Sequence, residues 1–282
     1  MRGLLASPLG FLIGVSLGAL GGGGSILAVP ALVYGAGQDV RAATTTSLLV
    51  VGLASLVGMV GHWRAGRVRV GAGIVFGVTG IGGSIAGSAL NARLDPDVLL
   101  LAFSGLIVVA AWRMLTACPS CTQAGESRAL AEPGSPEPDP DSAGPAASGG
   151  TATTAATVAV DVVTIVVAGT AVGFLTGLFG VGGGFVIVPA LTLALGFSMP
   201  NAIGTSLLVI AINAAAALAA RGGPAEVEWS VALPFLVAAL AGVLTGKRIA
   251  DRLPAETMLR GFAGLLVGVA VFTAASSIFA LV

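Results

Sequence analysis

Apolar residues fill eight long stretches of this 282-residue chain, and polar residues are largely confined to the intervals between them. The stretches cover approximately residues 8–34, 42–61, 70–90, 98–115, 158–195, 202–220, 229–246 and 257–281. A helix of about 20 apolar residues crosses a hydrocarbon core roughly 30 Å thick, because each residue rises about 1.5 Å. The pattern therefore predicts an all-α integral membrane protein with about eight membrane segments.

One interval differs from the others in both length and composition. Residues 118–157 contain six prolines and five acidic residues and show no apolar periodicity. Such a segment has too little apolar surface to fold by itself. The sequence therefore predicts three regions: a first membrane repeat over 1–117, a disordered Pro-rich acidic linker over 118–157, and a second membrane repeat over 158–282.

The two membrane regions contain the same pattern at a constant offset of 159 residues. The stretch GALGGGGSILAVPAL at 18–32 returns as GLFGVGGGFVIVPAL at 177–191, and TSLLV at 46–50 returns at 205–209. Gapless agreement of this length indicates an internal duplication into two four-segment halves. Duplicated halves that meet around a central site are the usual architecture of secondary transporters.

Positive residues suggest how the halves are oriented. In the first half, the cluster of Arg64, Arg67 and Arg69 lies between the second and third segments. In the second half, the cluster of Lys247, Arg248 and Arg252 lies one loop later. If positive loops face the cytoplasm, the halves are inverted, which requires an odd number of crossings in each. A Gly-rich first segment that dips in and returns would satisfy this requirement. Four full crossings per half would instead give parallel repeats.

The glycine runs interrupt the first apolar segment of each half. Glycine weakens a helix by about 1 kcal/mol per residue relative to Ala, and unpaired backbone groups cannot face lipid. The runs 21–24 and 182–184 are therefore candidates for a backbone site, where N–H groups at a helix start bind an anion. Close helix packing is the alternative, and it explains the glycines spaced four apart: Gly10, Gly14, Gly18, Gly173 and Gly177.

Hydroxyl and amide side chains are the second set of candidates. Thr46 and Ser47, like their counterparts Thr205 and Ser206, stand near the start of an apolar helix. Their hydroxyls can cap that helix or donate hydrogen bonds to an oxyanion. Asn213 lies midway along its segment, where it can contact substrate or hydrogen bond to a neighbouring helix. His62, the only histidine, stands beside Trp63 at a segment end and is predicted to be interfacial, with pH sensing as the alternative.

Composition and charge exclude several classes of function. Only 9% of residues are charged, the 13 basic and 13 acidic residues cancel, and no basic block exists, so no nucleic-acid partner is expected. The sequence shows no catalytic triad, metal-ligand cluster or paired membrane carboxylates. We therefore expect no enzyme activity, no cofactor and no metal site.

The doubled glycine run, the following VPAL and the later TS-L pattern resemble the TauE/SafE sulfite exporter family, also called the toluene-sulfonate uptake permease family or DUF81. The resemblance implies an anion permease for sulfite, a sulfonate or a related organosulfur anion. Ser25 stands where the second half has Gly184, so the half-sites are not equivalent. The resulting candidate substrate-binding residues are Gly21, Gly23, Gly24, Ser25, Pro30, Thr46, Ser47, Gly180, Gly182, Gly183, Gly184, Pro189, Thr205, Ser206 and Asn213.

These observations together predict a multi-pass permease of a prokaryotic cell membrane that works by alternating access at a site between the repeats. Its expected partners are a small anion and the lipid bilayer, and the sequence leaves open whether it forms a homo-oligomer. Two alternatives remain at this stage. One is a non-transporting scaffold or accessory subunit whose glycines only pack helices, and the other is an anion channel.

Overall fold

The computed structural model describes residues 2–91, 93, 102, 105–110, 112–113, 116, 152–179, 184–220, 227–254 and 256–268. Within these residues every regular element is helical. The first half contains α1 (Arg2–Leu20), a 3₁₀ turn (Gly21–Gly24), α2 (Ser25–Pro30), a π-helical turn (Ala31–Gly35), α3 (Val40–Arg64) and α4 (Val70–Asn91). The second half contains α5 (Ala152–Phe179), α6 (Gly184–Leu193), α7 (Met199–Ala220), α8 (Trp229–Ala250) and α9 (256–268).

Six described stretches are long and apolar enough to cross a membrane, which confirms a helical membrane protein. They are Ser7–Val33, Arg41–Arg64, Val70–Asn91, Val162–Phe179, Met199–Ala220 and Trp229–Ala250. The helix Gly184–Leu193 is apolar but shorter. The expected count of eight is not confirmed, because the predicted segments 98–115 and 257–281 lie partly outside the described residues. Most of the predicted linker also lies outside them, and α5 begins within its last residues.

The long helices pack mainly on helices of the other half. Helix α1 lies against α8, α4 lies against α5, and α3 lies against α7. Glycines permit the close approach: a Cβ at Gly14 would overlap the carbonyl oxygen of Ala239, and a Cβ at Gly173 would overlap that of Gly80. The packing role expected for the glycines spaced four apart is therefore observed in both halves.

The chain turns back on itself after α1. Gly21 has φ +74°, a left-handed conformation that glycine adopts without steric cost and that ends α1. Gly24 then lies against Ile13 and Leu17, and Gly35 lies beside Leu9. Residues 24–35 consequently run back along α1 toward its beginning, so the glycine run is the bend of a helical hairpin.

Two polar contacts between the halves mark opposite ends of the bundle. At one end, Asp251 accepts hydrogen bonds from Arg67 and from Lys247, the latter at 3.0 Å. Because Arg67 precedes α4 and Asp251 follows α8, α4 begins at the end of the bundle where α8 finishes. At the other end, the Gln38 amide donates to the Glu228 carboxylate at 3.3 Å, beside the start of α8.

Helix α7 supplies much of the core, whereas α4, α5 and α8 carry exposed apolar side chains. Ala202, Ile203 and Leu207 of α7 are fully buried. Val78 and Ile85 of α4 and Val237 of α8 point outward. Exposed aliphatic side chains on long helices suit contact with lipid, and the buried face of α7 places its polar residues inside the protein.

Candidate functional site

The glycine run of the first half meets the described start of α6 inside the protein. A Cβ at Gly22 would overlap the carbonyl oxygen of Gly184, and a Cβ at Gly184 would lie 3.0 Å from the carbonyl oxygen of Gly22 and against the Ser25 hydroxyl. All of Gly21–Gly24 is buried. Only backbones without side chains can approach so closely, because any larger residue would separate them. The breaks of the two halves therefore share one location.

The N-terminal part of α7 lies beside this meeting point. A Cβ at Gly21 would lie 2.7 Å from Ser206 Oγ and 3.3 Å from the Cα of Ile203. Ile210, one turn further along α7, faces Gly184, where a Cβ would lie 3.2 Å from its Cδ1. Four residues from the predicted set are thus brought together with Gly22, which the sequence did not single out. We call these five residues the central site: Gly21, Gly22, Ser25, Gly184 and Ser206.

The central site offers neutral hydrogen-bond donors. The Ser25 hydroxyl donates to the Gly22 carbonyl at 2.7 Å, and the Ser206 hydroxyl donates to the Ile203 carbonyl at 2.8 Å. Each of these bonds stays within one segment, so a hydroxyl can rotate to donate elsewhere without breaking a contact between helices. None of the five residues carries a charge.

Two helix starts also converge there. Gly21 opens the helical stretch that continues through α2, and Gly184 opens α6. The first N–H groups of a helix have no partner within it, and the aligned peptide dipoles give each start about +0.5 elementary charge. Free N–H groups at such starts, with serine hydroxyls beside them, would favour an anion over a cation.

Several predicted residues lie outside the central site. Thr205 accepts a hydrogen bond from the Arg69 N–H at 3.1 Å and so holds the α3–α4 connection against α7. The Ser47 hydroxyl donates to the Thr44 carbonyl at 2.8 Å. Thr46 is fully buried, and its hydroxyl has no partner among the described residues. The two threonines, which are equivalent in the repeat, therefore have different surroundings.

Two glycines of the first run contribute to packing. Gly23 faces Phe262 and Leu265 of α9, where a Cβ would lie 3.3 Å and 2.8 Å from their side chains. Gly24 lies against the α1 backbone at Ile13 and Leu17. Their glycine identity is explained by close packing, so the substrate contact predicted for them is not required by their surroundings.

The prolines and Asn213 complete the predicted set within the described residues. Pro30 ends α2, and Pro189 lies inside α6, where its carbonyl accepts from the Thr192 hydroxyl at 3.1 Å. Asn213 lies on α7, and its side-chain oxygen is buried without a partner in the described part of the chain. The predicted residues Gly180, Gly182 and Gly183 lie outside the described residues.

His62 is buried against other helices near the end of α3, and its position at the membrane interface stays a prediction. Its side chain is 1% exposed, whereas that of the neighbouring Trp63 is 59% exposed. The helix directs Trp63 outward and His62 toward α1, α7 and α8. Neither ring nitrogen has a partner among the described residues. Which face of α3 is covered depends on its partner helices, which the sequence does not specify.

The charged side chains near His62 lie at one end of the bundle. Asp251 lies between Lys247 and Arg67. Its burial works to raise the pKa of its carboxyl, but the hydrogen bonds from Lys247 and Arg67 outweigh that effect and hold the pKa below its ordinary value. The carboxylate therefore remains ionised and joins the halves at this end.

The chain is similar to several proteins that are named as membrane transporters. The chain is 30% identical to a probable membrane transporter protein of Xylella fastidiosa strain 9a5c over 93% of its length and 91% of that protein. It is 25% identical to the probable membrane transporter protein YdhB of Bacillus subtilis over 86% of its length and 89% of that protein. No solved structure matches it significantly.

The family described as sulfite exporter TauE/SafE matches residues 6–273, nearly the whole chain. The match includes both glycine runs and every helix that packs around the central site except the first residues of α1. Together with the relatives that are named transporters, it shows a multi-pass membrane transporter and no enzyme family. The chain belongs to the TauE/SafE family of membrane transporters.

Proposed function

We propose that this transporter carries a small anion, namely sulfite, a sulfonate or a related organosulfur anion, at the central site. The observation that supports this proposal is the contact between Gly22 and Gly184, where two helix starts converge inside the protein. An oxyanion placed there receives backbone N–H groups from both halves and hydroxyl groups from Ser25 and Ser206. Sulfur oxyanions present several acceptor oxygens and match such a set of donors.

A neutral site also suits a substrate that must be released. A buried Arg or Lys would bind an anion with a full opposite charge, whereas hydroxyls and N–H groups supply weaker neutral hydrogen bonds. Since none of the central-site residues is charged, the site is built for binding followed by release.

The interleaving of the halves supports alternating access. Gly14 contacts Ala239, and Gly173 contacts Gly80. At the offset of 159, Gly14 corresponds to Gly173 and Gly80 corresponds to Ala239, so the two contacts are equivalent in the repeat. Likewise, α4 begins at the end of the bundle where α8, its counterpart, finishes. We infer inverted repeats whose glycine-containing first segments are re-entrant, with the central site between them. If each repeat adopts the conformation of the other, the central site would open first to one face of the membrane and then to the other.

The test begins with binding to the purified protein. Sulfite, sulfoacetate and p-toluenesulfonate should raise the melting temperature, because a ligand that binds only the folded state stabilises it. Chloride and sodium gluconate at equal ionic strength control for salt. If none of the three anions raises the melting temperature, the proposed substrate class is wrong.

A matched pair of variants then tests the position of the site. Ser206 and Ser88 both donate to a carbonyl of their own helix, at 2.8 Å and 2.7 Å, but only Ser206 is buried at the central site and Ser88 is exposed. We expect Ser206→Ala to weaken anion binding roughly tenfold, the value of about one net hydrogen bond. Ser88→Ala should bind as the wild type does. Equal affinities in the two variants would remove Ser206 from the site.

Flux into liposomes separates a carrier from the alternatives. A carrier shows saturable uptake and accelerated exchange when anion is present on both sides. A channel shows conductance that does not saturate in the same range, and a scaffold shows no flux above protein-free vesicles. Either of the last two results contradicts the proposed alternating access.

A further inference from the structure

His62 is the only titratable side chain among the fully buried residues that the structure describes. The remaining buried polar residues are serines, threonines and Gln38. Ionisable groups inside membrane segments are expensive to keep and are usually functional. Neither ring nitrogen makes a hydrogen bond of good geometry in the described part of the chain, although the Gly18 backbone lies within reach of the ring.

The surroundings of His62 belong to both halves. The ring lies close to the backbone of Gly18 on α1, one helical turn before the bend at Gly21. A Cβ at Gly204 of α7 would lie 3.1 Å from the Cβ of His62. The same stretch of α7 carries Ser206. His62 is therefore near both the bend of the first half and the wall of the central site.

Charged groups reach His62 from two directions. Lys247 and Asp251 approach from the end of α8, and Arg67 approaches from the α3–α4 connection. The Arg67 N–H also donates to the His62 carbonyl at 3.0 Å. Arg64 and Arg69 lie in the same connection, while α1 after Arg2 and the whole of α7 contain no titratable residue. Arg67, Asp251 and Lys247 form the ion bridge between the halves.

Protonation of His62 would change both charge and contacts at this place. A proton accepted from water by a ring nitrogen lone pair converts neutral imidazole into imidazolium, adding one positive charge beside the ion bridge. That charge is attracted to Asp251 and repelled by Lys247 and Arg67, so it weakens the existing pairing. It also offsets the charge of a monovalent anion bound at the central site.

The second half has no equivalent proton site. At the repeat offset His62 corresponds to Arg221, which stays positively charged at all physiological pH values. Only one of the two equivalent positions can therefore gain or lose a proton during a transport cycle. A proton carried at this position would therefore give one proton for each cycle.

We propose that His62 is the proton-binding site that couples anion transport to the proton gradient, with one proton and one monovalent anion moving in the same direction. The proposal rests on the proposed function, because it assigns the coupling ion of the same transport cycle. The loaded transporter carries the anion and the imidazolium together, so transport of a monovalent anion leaves the net charge on each side unchanged.

The test uses methanesulfonate, which stays fully ionised in the working pH range and cannot carry the proton itself. In liposomes that are more alkaline inside by one pH unit, the wild type should accumulate radiolabelled methanesulfonate about tenfold, the ratio for one proton per anion. A potassium diffusion potential set with valinomycin should leave the accumulation unchanged. His62→Gln should lose the accumulation, while Trp63→Phe, a change at the exposed neighbour, should retain it.

The outcomes distinguish a failure of the proton site from a failure of anion transport. If the wild type exchanges neither methanesulfonate nor sulfite at equal pH, anion transport itself is wrong. If exchange occurs but a pH gradient drives no accumulation, or if His62→Gln still accumulates the anion, only the proton site is wrong.

A second measurement does not depend on a folded variant. Because the chain has a single histidine, ¹⁵N-histidine labelling of protein purified without a polyhistidine tag gives ring signals from His62 alone, one for each ring nitrogen. Binding free energies are reciprocal, so saturating methanesulfonate should increase the protonated fraction of that ring at a fixed pH near 7. An unchanged fraction would overturn the proposal.

Discussion

At the scale of single residues, glycine is used here for two different purposes. Glycines spaced four apart let helices of opposite halves touch, as Gly173 does at Gly80. Gly21 and Gly22 instead shape the bend and the contact with Gly184. Spacing correctly predicted the packing role of the first group, whereas the site role of the second group stays a prediction. Gly23 and Gly24, which were assigned to the site, pack against α9 and α1.

Substitution of Gly173 tests the packing group. Gly173→Ala should destabilise the protein by about 1–3 kcal/mol, because the new Cβ overlaps the Gly80 backbone and forces the helices apart. Gly82→Ala lies in the neighbouring α4 with open space around it, and there Ala should be neutral or stabilising by up to about 1 kcal/mol. Thermal unfolding in detergent measures both. Equal stability of the two variants would contradict the close α4–α5 contact.

The carboxyl of Asp251 gives a pH-dependent prediction. Its pKa is depressed in the folded protein, so its contribution to stability is present above the ordinary pKa of 3.8 and is lost as pH falls through the lower folded value. Asp251→Asn should therefore cost up to about 1 kcal/mol at neutral pH, as is typical of a partly exposed ion pair. Below pH 4 the two melting temperatures should converge. A difference that persists into strong acid would show that the substitution acts through something other than the ion bridge.

At the scale of elements, the decisive feature is that helices pair across the duplication and in exchanged order. Helix α1 pairs with α8 and α4 pairs with α5, while α3 and α7, which are equivalent, pair with each other. The sequence revealed the equivalence of the elements through their constant offset. It could not reveal their partners, because every apolar helix offers a similar surface to every other. The bend at Gly21 was a hypothesis from the sequence, based on the glycine run and on the charge bias of the loops.

Accessibility labelling tests whether the chain turns back at Gly21 so that both ends of the first segment lie on the same side of the membrane. With Cys118 and Cys121 replaced by Ser, a cysteine tag at the N-terminus and Arg41→Cys should react with an impermeant maleimide from one face. Ala65→Cys and Arg252→Cys should react only from the other face, which the positive residues place in the cytoplasm. If the first segment instead crosses the membrane once, the N-terminal tag and Arg41→Cys will label from opposite faces.

At the scale of the whole molecule, neither half contains its own principal helix contacts. The partner of α1 is in the second half and the partner of α5 is in the first, so the two halves form one interleaved bundle. The ion bridge and the contact between Gln38 and Glu228 add polar links at the two ends. The central site exists only because both halves supply a glycine break to it.

Separation of the halves tests this interdependence. When residues 1–117 and 118–282 are expressed together as two chains, we expect them to co-purify through a tag on either one, because their helices complete each other. Expressed alone, each should aggregate or be degraded, since α1 or α5 then exposes its small-residue face. Co-expression of the first chain with an unrelated membrane protein is the control. Two halves that are each stable alone and do not associate would contradict the interleaved bundle.

The sequence by itself determined the properties that depend on local composition and order: a helical membrane protein and its family. These depend on segment length, apolar content and repeated motifs, which are all linear features. Only the tertiary structure decided that Gly22 meets Gly184, that Ser206 faces the bend while Thr205 binds the α3–α4 connection, and that His62 is buried. Those outcomes depend on which face of each helix is covered by its partner helices. Because these helices are apolar on nearly every face, hydropathy does not show which face is buried.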